Sequence, residues 1–118
     1  MTRPGPYPGP LSEVAVDVLV TLSDGPLHGY AIKRAIEARI GGDHVLGSGS
    51  LYQALHRLER RGYVSEAPSG RAGDARRGRL YRLEPAGRRA LGVELARMKR
   101  VLSDAKKARF RTNPEAVP

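Results

Sequence analysis

The chain contains no cysteine and no tryptophan, and its aromatic residues are five Tyr and one Phe. Without Cys there is no disulfide, no thiolate metal site and no thiol nucleophile. With so few rings, a base-stacking platform or an aromatic cage is a poor expectation. No apolar run approaches the roughly 18 residues that cross a bilayer. The opening segment, MTRPGPYPGP, has no apolar signal core, so a cytoplasmic protein without a membrane partner is expected. His28, His44 and His56 share no i, i+4 spacing and have no carboxylate cluster around them, so no metal is expected. Gly47-Ser48-Gly49 is followed neither by a dinucleotide fingerprint nor by Gly-Lys-Ser/Thr, and no cofactor is expected. There is no readable pair of carboxylates and no Ser-His-acid grouping; Glu37 and Glu94 read as ordinary helix surface. An enzyme is therefore not expected.

What is present in excess is positive charge. The 118 residues carry 21 Lys and Arg against 12 Asp and Glu, a net charge of +9. The length allows one domain, and the charge biases it toward polyanions. The excess is uneven. Residues 1–46 have a net charge of −1, residues 47–82 carry eight Arg against three acids, and residues 97–111 carry seven basic groups against Asp104. Two basic blocks behind a near-neutral first part suggest a surface that faces a partner.

Residues 1–10 hold four Pro and two Gly without apolar periodicity, and read as a disordered tail. From Leu11 the residues Val14, Ala15, Val18, Leu19 and Leu22 follow the 3.6-residue period of an amphipathic helix. Val16 and Val20 add a second apolar strip. Ser23-Asp24-Gly25-Pro26 stops this helix. A second helix is expected from about His28 to Arg39, ended by Gly41-Gly42, with His28 capping or packing at its start. His44-Val45-Leu46 could form a very short strand. Gly47-Ser48-Gly49-Ser50 supplies cap chemistry for a third helix over about 49–61, with Gly62 past its end. Tyr63–Ala67 and Arg79–Leu83 read as two strands, joined by a Gly-, Arg- and Ser-rich loop from Pro68 to Gly78. Pro85 suits a first helical position, and a last helix is expected from Pro85 to about Phe110, roughly 39 Å long.

Three helices followed by a basic hairpin form the layout of a winged helix-turn-helix. The expected fold is mainly α with a small β-hairpin. Its DNA-binding domain spans 11–84, a long C-terminal dimerisation helix spans 85–111, and the tail 112–118 frays. At about 100° per residue, the third helix turns Leu51, Ala54, Leu55 and Leu58 inward. Gln53, His56, Arg57 and Arg60 then point away from the core. Such a set suits the major groove, where Gln pairs with adenine N6 and N7 and Arg with guanine O6 and N7. Small residues at the helix start, with Ser48 and Ser50 among them, would let backbone N–H groups approach a phosphate. Arg71, Arg76, Arg77 and Arg79 of the wing are candidate phosphate contacts. Tyr52 falls at the edge between core and groove, where its hydroxyl could reach a phosphate or simply pack.

The runs Leu27-His28-Gly29-Tyr30 and Gly49-Ser50-Leu51-Tyr52-Gln53-Ala54-Leu55-His56-Arg57-Leu58-Glu59-Arg60-Arg61-Gly62-Tyr63-Val64 resemble the PadR family of bacterial transcriptional regulators. Tyr81-Arg82-Leu83 and Ala86-Gly87-Arg88-Arg89-Ala90-Leu91 resemble that family's wing exit and the start of its final helix. The resemblance covers about residues 11–103 and is to the compact branch with a single long terminal helix. It implies a homodimeric repressor of double-stranded DNA; Tyr30 and Tyr52 match the family's HGY and LY positions and are candidate DNA contacts. Two departures stand out: Gln53 where members often carry Pro, and Glu84-Pro85 where they often carry Thr-Glu. Some members bind flat aromatic ligands between paired tryptophans; without Trp that mode does not transfer, and whether any small-molecule effector exists stays open.

The last helix carries Leu91, Leu95, Met98, Leu102 and Ala105 at alternating spacings of four and three, a heptad seam. With Val16 and Val20 as counter-surface, it suits a two-fold dimer on a palindromic operator. The competing reading is a winged-helix module that binds protein without reading DNA sequence, against which the basic recognition and wing block argues.

Overall fold

The computed structural model describes residues 11–41, 47–67 and 79–108. The expected tails, the strand at 44–46 and the wing loop 68–78 lie outside the described residues. Among the described residues four helices and three short strands follow in the order α1 (Glu13–Leu22), β1 (Leu27–His28), α2 (Gly29–Ile40), α3 (Ser48–Arg60), β2 (Val64–Ala67), β3 (Leu80–Leu83) and α4 (Pro85–Lys107).

Local chemistry sets the boundaries. Ser12 caps α1, its hydroxyl accepting the Ala15 N–H at 3.1 Å, which removes one unpaired donor from the first turn. Gly41 ends α2 at φ +91°, a left-handed conformation that glycine adopts without steric cost. The end of α3 is a Schellman motif. Gly62, at φ +75°, donates to the Glu59 carbonyl and Tyr63 to the Leu58 carbonyl, both at 2.9 Å. The expected helices thus appear with ends shifted by a residue or two, except that α4 stops at Lys107, short of Phe110.

The two expected strands pair antiparallel as β2 and β3, and a third strand joins them. The result is a three-stranded antiparallel sheet of order β1-β3-β2, with Leu27 opposite Tyr81 and Val64 opposite Leu83. β1 is two residues long, too short to show the alternation by which a strand is read. It covers the open edge of β3 and delivers the chain directly into α2, where the Gly29 N–H donates to the Arg79 carbonyl at 3.1 Å.

The core is one apolar cluster at the junction of the helices and sheet. Val18, Leu19 and Leu22 of α1 meet Ile32 and Ile36 of α2, Leu51, Leu55 and Leu58 of α3, Val64, Tyr81 and Leu91. Val16 belongs to this cluster and is only 8% exposed, while Val20 packs against it half-buried. The second strip of α1 is therefore occupied within the protomer, because α1 is central and touched from several sides. Leu91 is likewise buried in the protomer's own core.

α4 is fixed to the domain by a close backbone approach. Glu84 donates its N–H to the Tyr63 carbonyl at 2.9 Å, and a Cβ on Gly87 would lie 2.1 Å from that same oxygen. Pro85 takes the first helical position, and Glu84 precedes the helix without capping it through its side chain. Its carboxylate instead accepts hydrogen bonds from the Ser65 hydroxyl and from Arg82 Nε. Among the described residues no helix is long and apolar enough to cross a membrane.

Candidate nucleic-acid interface

The strongest amphipathic division lies on α3. Leu51, Ala54, Leu55 and Leu58 are buried, whereas Gln53, His56, Arg57 and Arg60 are exposed on the opposite side. Four hydrogen-bonding or cationic side chains thus share a solvent face that the core holds rigidly from behind. Gly47 caps the helix without a side-chain bond. A Cβ on Gly49 would meet nothing within 4 Å, so the first turn is open to an approaching group, and its N–H groups carry the positive end of the helix dipole. Ser50 is exposed there.

The start of α2 borders this face. Tyr52 of α3 leans over it: a Cβ on Gly29 would be 3.2 Å from the Tyr52 hydroxyl oxygen. The bare backbone at Gly29 makes room for the ring, which remains half exposed. Packing and an accessible hydroxyl therefore coexist at Tyr52. Tyr30, one residue on, is exposed, and the Arg34 guanidinium lies 5.8 Å from its ring centroid while donating to its hydroxyl at 3.4 Å. Arg34 is absent from the DNA-facing set that the sequence suggests. Its signal is the i, i+4 spacing from Tyr30, which puts the two side chains together on a helix.

Arg79 enters from the wing base. It is exposed, with Nε 3.8 Å from a Glu66 carboxylate oxygen, and its carbonyl holds the start of α2. The Tyr52 ring and the backbone of Arg79 thus meet at Gly29, the residue before Tyr30, where α2 begins. Beneath the wing strands, burial pushes the Tyr81 hydroxyl above its ordinary pKa, and the negative charge of Glu59 adds to the rise. That side chain is a neutral core element. Arg71, Arg76 and Arg77, together with the Ser48 side chain, lie outside the described residues.

The expected dimer seam is divided. Leu91 is covered, but Leu95, Met98 and Leu102 are exposed at 45%, 39% and 57%. Val101, missed by the heptad count, is exposed beside them at 56%. Glu94, read from sequence as ordinary surface, is instead 1% exposed. Its carboxylate accepts the Leu11 N–H at 3.2 Å and Arg97 Nε at 2.8 Å. Periodicity held the clue, since Glu94 follows Gly87 and Leu91 at i+7 and i+3 on the buried face. His28 is half-buried at the N-cap of α2 without a side-chain capping bond. Among the described residues no group of three or more His, Cys, Asp or Glu is placed to hold a metal ion.

The geometry agrees with comparisons across known proteins. The model of the transcriptional regulator PadR-like family matches residues 18–93. The chain is 50% identical over 84 residues to an uncharacterized 37.1 kDa protein in transposon TN4556 from Streptomyces fradiae. That match takes in 71% of this chain but spans only 22% of the relative's length. Among solved structures, a transcriptional regulator from Clostridium thermocellum superposes with a TM-score of 0.65 at 24% identity, over 80% of this chain and 87% of that one. A PadR family transcription regulator from Clostridium difficile gives 0.64 at 20% identity, over 81% and 97%. Bacillus subtilis PadR, solved in complex with operator DNA, gives 0.59 at 20% identity, over 73% and 48%. At these identities the structures establish the shared fold, and the family match extends from inside α1 to the middle of α4. The chain belongs to the PadR-like family of transcriptional regulators, which is not a family of enzymes.

Proposed function

We propose that this protein is a repressor that binds a palindromic operator as a homodimer. The observation that carries the reading is the division of α3, whose apolar side is closed by the core while Gln53, His56, Arg57 and Arg60 stand together in solvent. A recognition helix needs that combination of a rigid back and a hydrogen-bonding, cationic front. In this reading Gln53, Arg57 and Arg60 meet base edges and nearby phosphates. Ser48, Ser50, Tyr30, Tyr52, His56 and Arg79 flank them, and Arg71, Arg76 and Arg77 extend the contact along the backbone from the wing. The solved operator complex of the Bacillus subtilis relative supports DNA as the partner.

One winged helix reads only a few base pairs, too few to single out a site in a genome. The exposed Leu95, Met98, Val101 and Leu102 on α4 offer a surface for a second copy, and a two-fold pair would place recognition helices about 34 Å apart, one turn of B-DNA. Selection of bound duplexes from a random pool, followed by titration against salt, tests the reading. The expected product is a palindrome, and eight neutralised phosphates give a log–log salt slope of about −7. A slope near zero on the best duplex overturns it.

A further inference from the structure

Glu94 has a role that neither the recognition face nor the apolar seam accounts for. α4 runs for 23 residues, and its buried positions are Gly87, Leu91 and Glu94. Beyond Glu94 no residue of the helix is buried. Glu94 is therefore where α4 leaves the winged domain, and at that point the contact is a directed polar one. Its carboxylate accepts the N–H of Leu11, the residue that leads into the α1 cap, and is braced from its own helix by Arg97. Leu11 in turn faces the recognition helix: it shares a small cleft of about 170 Å³ with Ala54, Arg57, Leu58 and Arg61. Glu94 thus holds the departing helix to Leu11, which borders the flank of α3 that carries Arg57.

We infer that Glu94 is a positioning residue that sets the angle between α4 and the recognition helix, and thereby the half-site spacing that the dimer accepts. This rests on the dimeric reading above. α4 is held at two places. At Gly87 its backbone presses on the Tyr63 carbonyl; at Glu94, about 10 Å further along, it is held by the Leu11 N–H. Its tip at Lys107 lies about 30 Å from Gly87, so a displacement at Glu94 grows about threefold at the end of the exposed seam. A hydrophobic contact at this place would tolerate sliding, because apolar burial has no direction. A hydrogen bond to a fixed backbone N–H does not slide, since it weakens steeply off its geometry. The cation left behind when Glu94 is replaced is not buried, since the Arg97 side chain is 40% exposed and can be hydrated. The cost of the substitution is therefore that of the unpaired Leu11 N–H, and Leu11→Pro removes that donor as well.

The test uses the full chain and duplexes built from the selected half-site, with the central spacer lengthened or shortened by one or two base pairs. Wild-type protein is expected to lose about tenfold in affinity on the altered spacers, because half-site separation is fixed by the dimer's geometry. Glu94→Leu removes the acceptor, and Leu11→Pro deletes the donor without touching Glu94. Each variant is expected to remain a dimer by sedimentation, to bind the best duplex within a few-fold of wild type, and to reduce the spacer penalty to threefold or less. Glu94→Gln keeps an oxygen for the Leu11 N–H and is expected to retain most of the penalty, which a loss of mere packing would not predict. If Glu94→Leu does not fold, Leu11→Pro alone decides. Dimeric variants with the wild-type spacer profile overturn the assignment of Glu94 and leave the dimeric reading standing. A wild-type protein indifferent to spacing overturns that reading, and this assignment with it.

Discussion

α3 and α4 are written in the same local code, and the fold uses them in opposite ways. Both carry apolar residues at helical spacing and both carry several cations. In α3 the apolar stripe ends within the domain and every member of it is buried, so the solvent face is hydrogen-bonding and cationic, with the half-exposed Tyr52 ring at its edge. In α4 the same kind of stripe is buried through Leu91 and Glu94 and then continues, uncovered, through Leu95, Met98, Val101 and Leu102. Periodicity tells which side of a helix is apolar; the length of the surface behind it decides how much of that side one protomer can close. α3 is short enough to be backed throughout by α1 and β2, whereas α4 outruns the domain. The helix that is finished leaves a hydrogen-bonding, cationic face in solvent, and the one that is unfinished leaves an apolar one; the function proposed above assigns the first to DNA and the second to another copy of the chain.

The sharpest way to break this contrast is to place equivalent damage on each stripe. Leu55→Ala removes a side chain that is 1% exposed and should cost about 2–5 kcal/mol of protomer stability. Leu102→Asp alters a side chain that is 57% exposed, and should leave the fold of the protomer intact while shifting the protein toward monomer and weakening operator binding. Urea unfolding of both variants, with sedimentation equilibrium, checks the pair. A Leu102→Asp protein that stays dimeric, or a Leu55→Ala protein as stable as wild type, breaks the contrast.

Two glycines sharpen it along α4 itself. A methyl on Gly87 would meet the Tyr63 carbonyl oxygen at 2.1 Å, a clash with backbone that no rotamer relieves. Gly87→Ala should cost at least the upper part of the roughly 1–3 kcal/mol typical of overpacking. Gly92 is exposed, with nothing within 4 Å of the same methyl, and Gly92→Ala should stabilise by about 0.5–1 kcal/mol through helix propensity. Denaturant midpoints of opposite sign are the expected result.

On α3 the finer question is which polar residues read sequence. Gln53→Ala should cost about 1–3 kcal/mol, concentrated at one base position of the selected site. Arg60→Ala, if it meets phosphate, should weaken all sequences alike and make the salt slope shallower by about 0.9 for each phosphate no longer neutralised. Uniform losses from Gln53→Ala would remove it from the base-reading set.

How far the sequence foretold this division follows from what periodicity records. The buried side of α3 and its exposed Gln53, His56, Arg57 and Arg60 were legible because a strict stripe and a Gly62 stop leave one arrangement. The antiparallel strands around the wing were legible from Tyr63–Ala67 and Arg79–Leu83. β1 was not, because Leu27 and His28 are paired by tertiary placement and not by any pattern of their own. Val16 looked spare because a helix wheel cannot show how many neighbours surround a central helix. Glu94 looked exposed for the converse reason: residue type outweighed its position on the Gly87–Leu91 face, and the N–H that satisfies it comes from Leu11, far away in sequence. Arg34 was overlooked since its role depends on lying against Tyr30.

The smallest effect concerns the joint between the two regions, where Glu84 links the wing strands to the start of α4. The Ser65 hydroxyl, which donates to its carboxylate, holds Glu84 below its ordinary pKa, and the nearby Arg82 guanidinium adds to the lowering. A carboxylate depressed in the folded state binds its proton more readily when unfolded. Its contribution to stability is therefore complete above the unfolded value, near 4.5, and is lost as pH falls through the lower folded value. Glu84→Gln removes that contribution. The variant should be less stable than wild type at neutral pH, and the gap should narrow in acid below the ordinary carboxylate range. Because the group lies at the surface, the shift in midpoint should be smaller than that of Gly87→Ala. Thermal melts of both proteins across pH 3 to 7 measure it, and parallel curves with a constant gap would show that the Ser65 bond does not couple this joint to protonation.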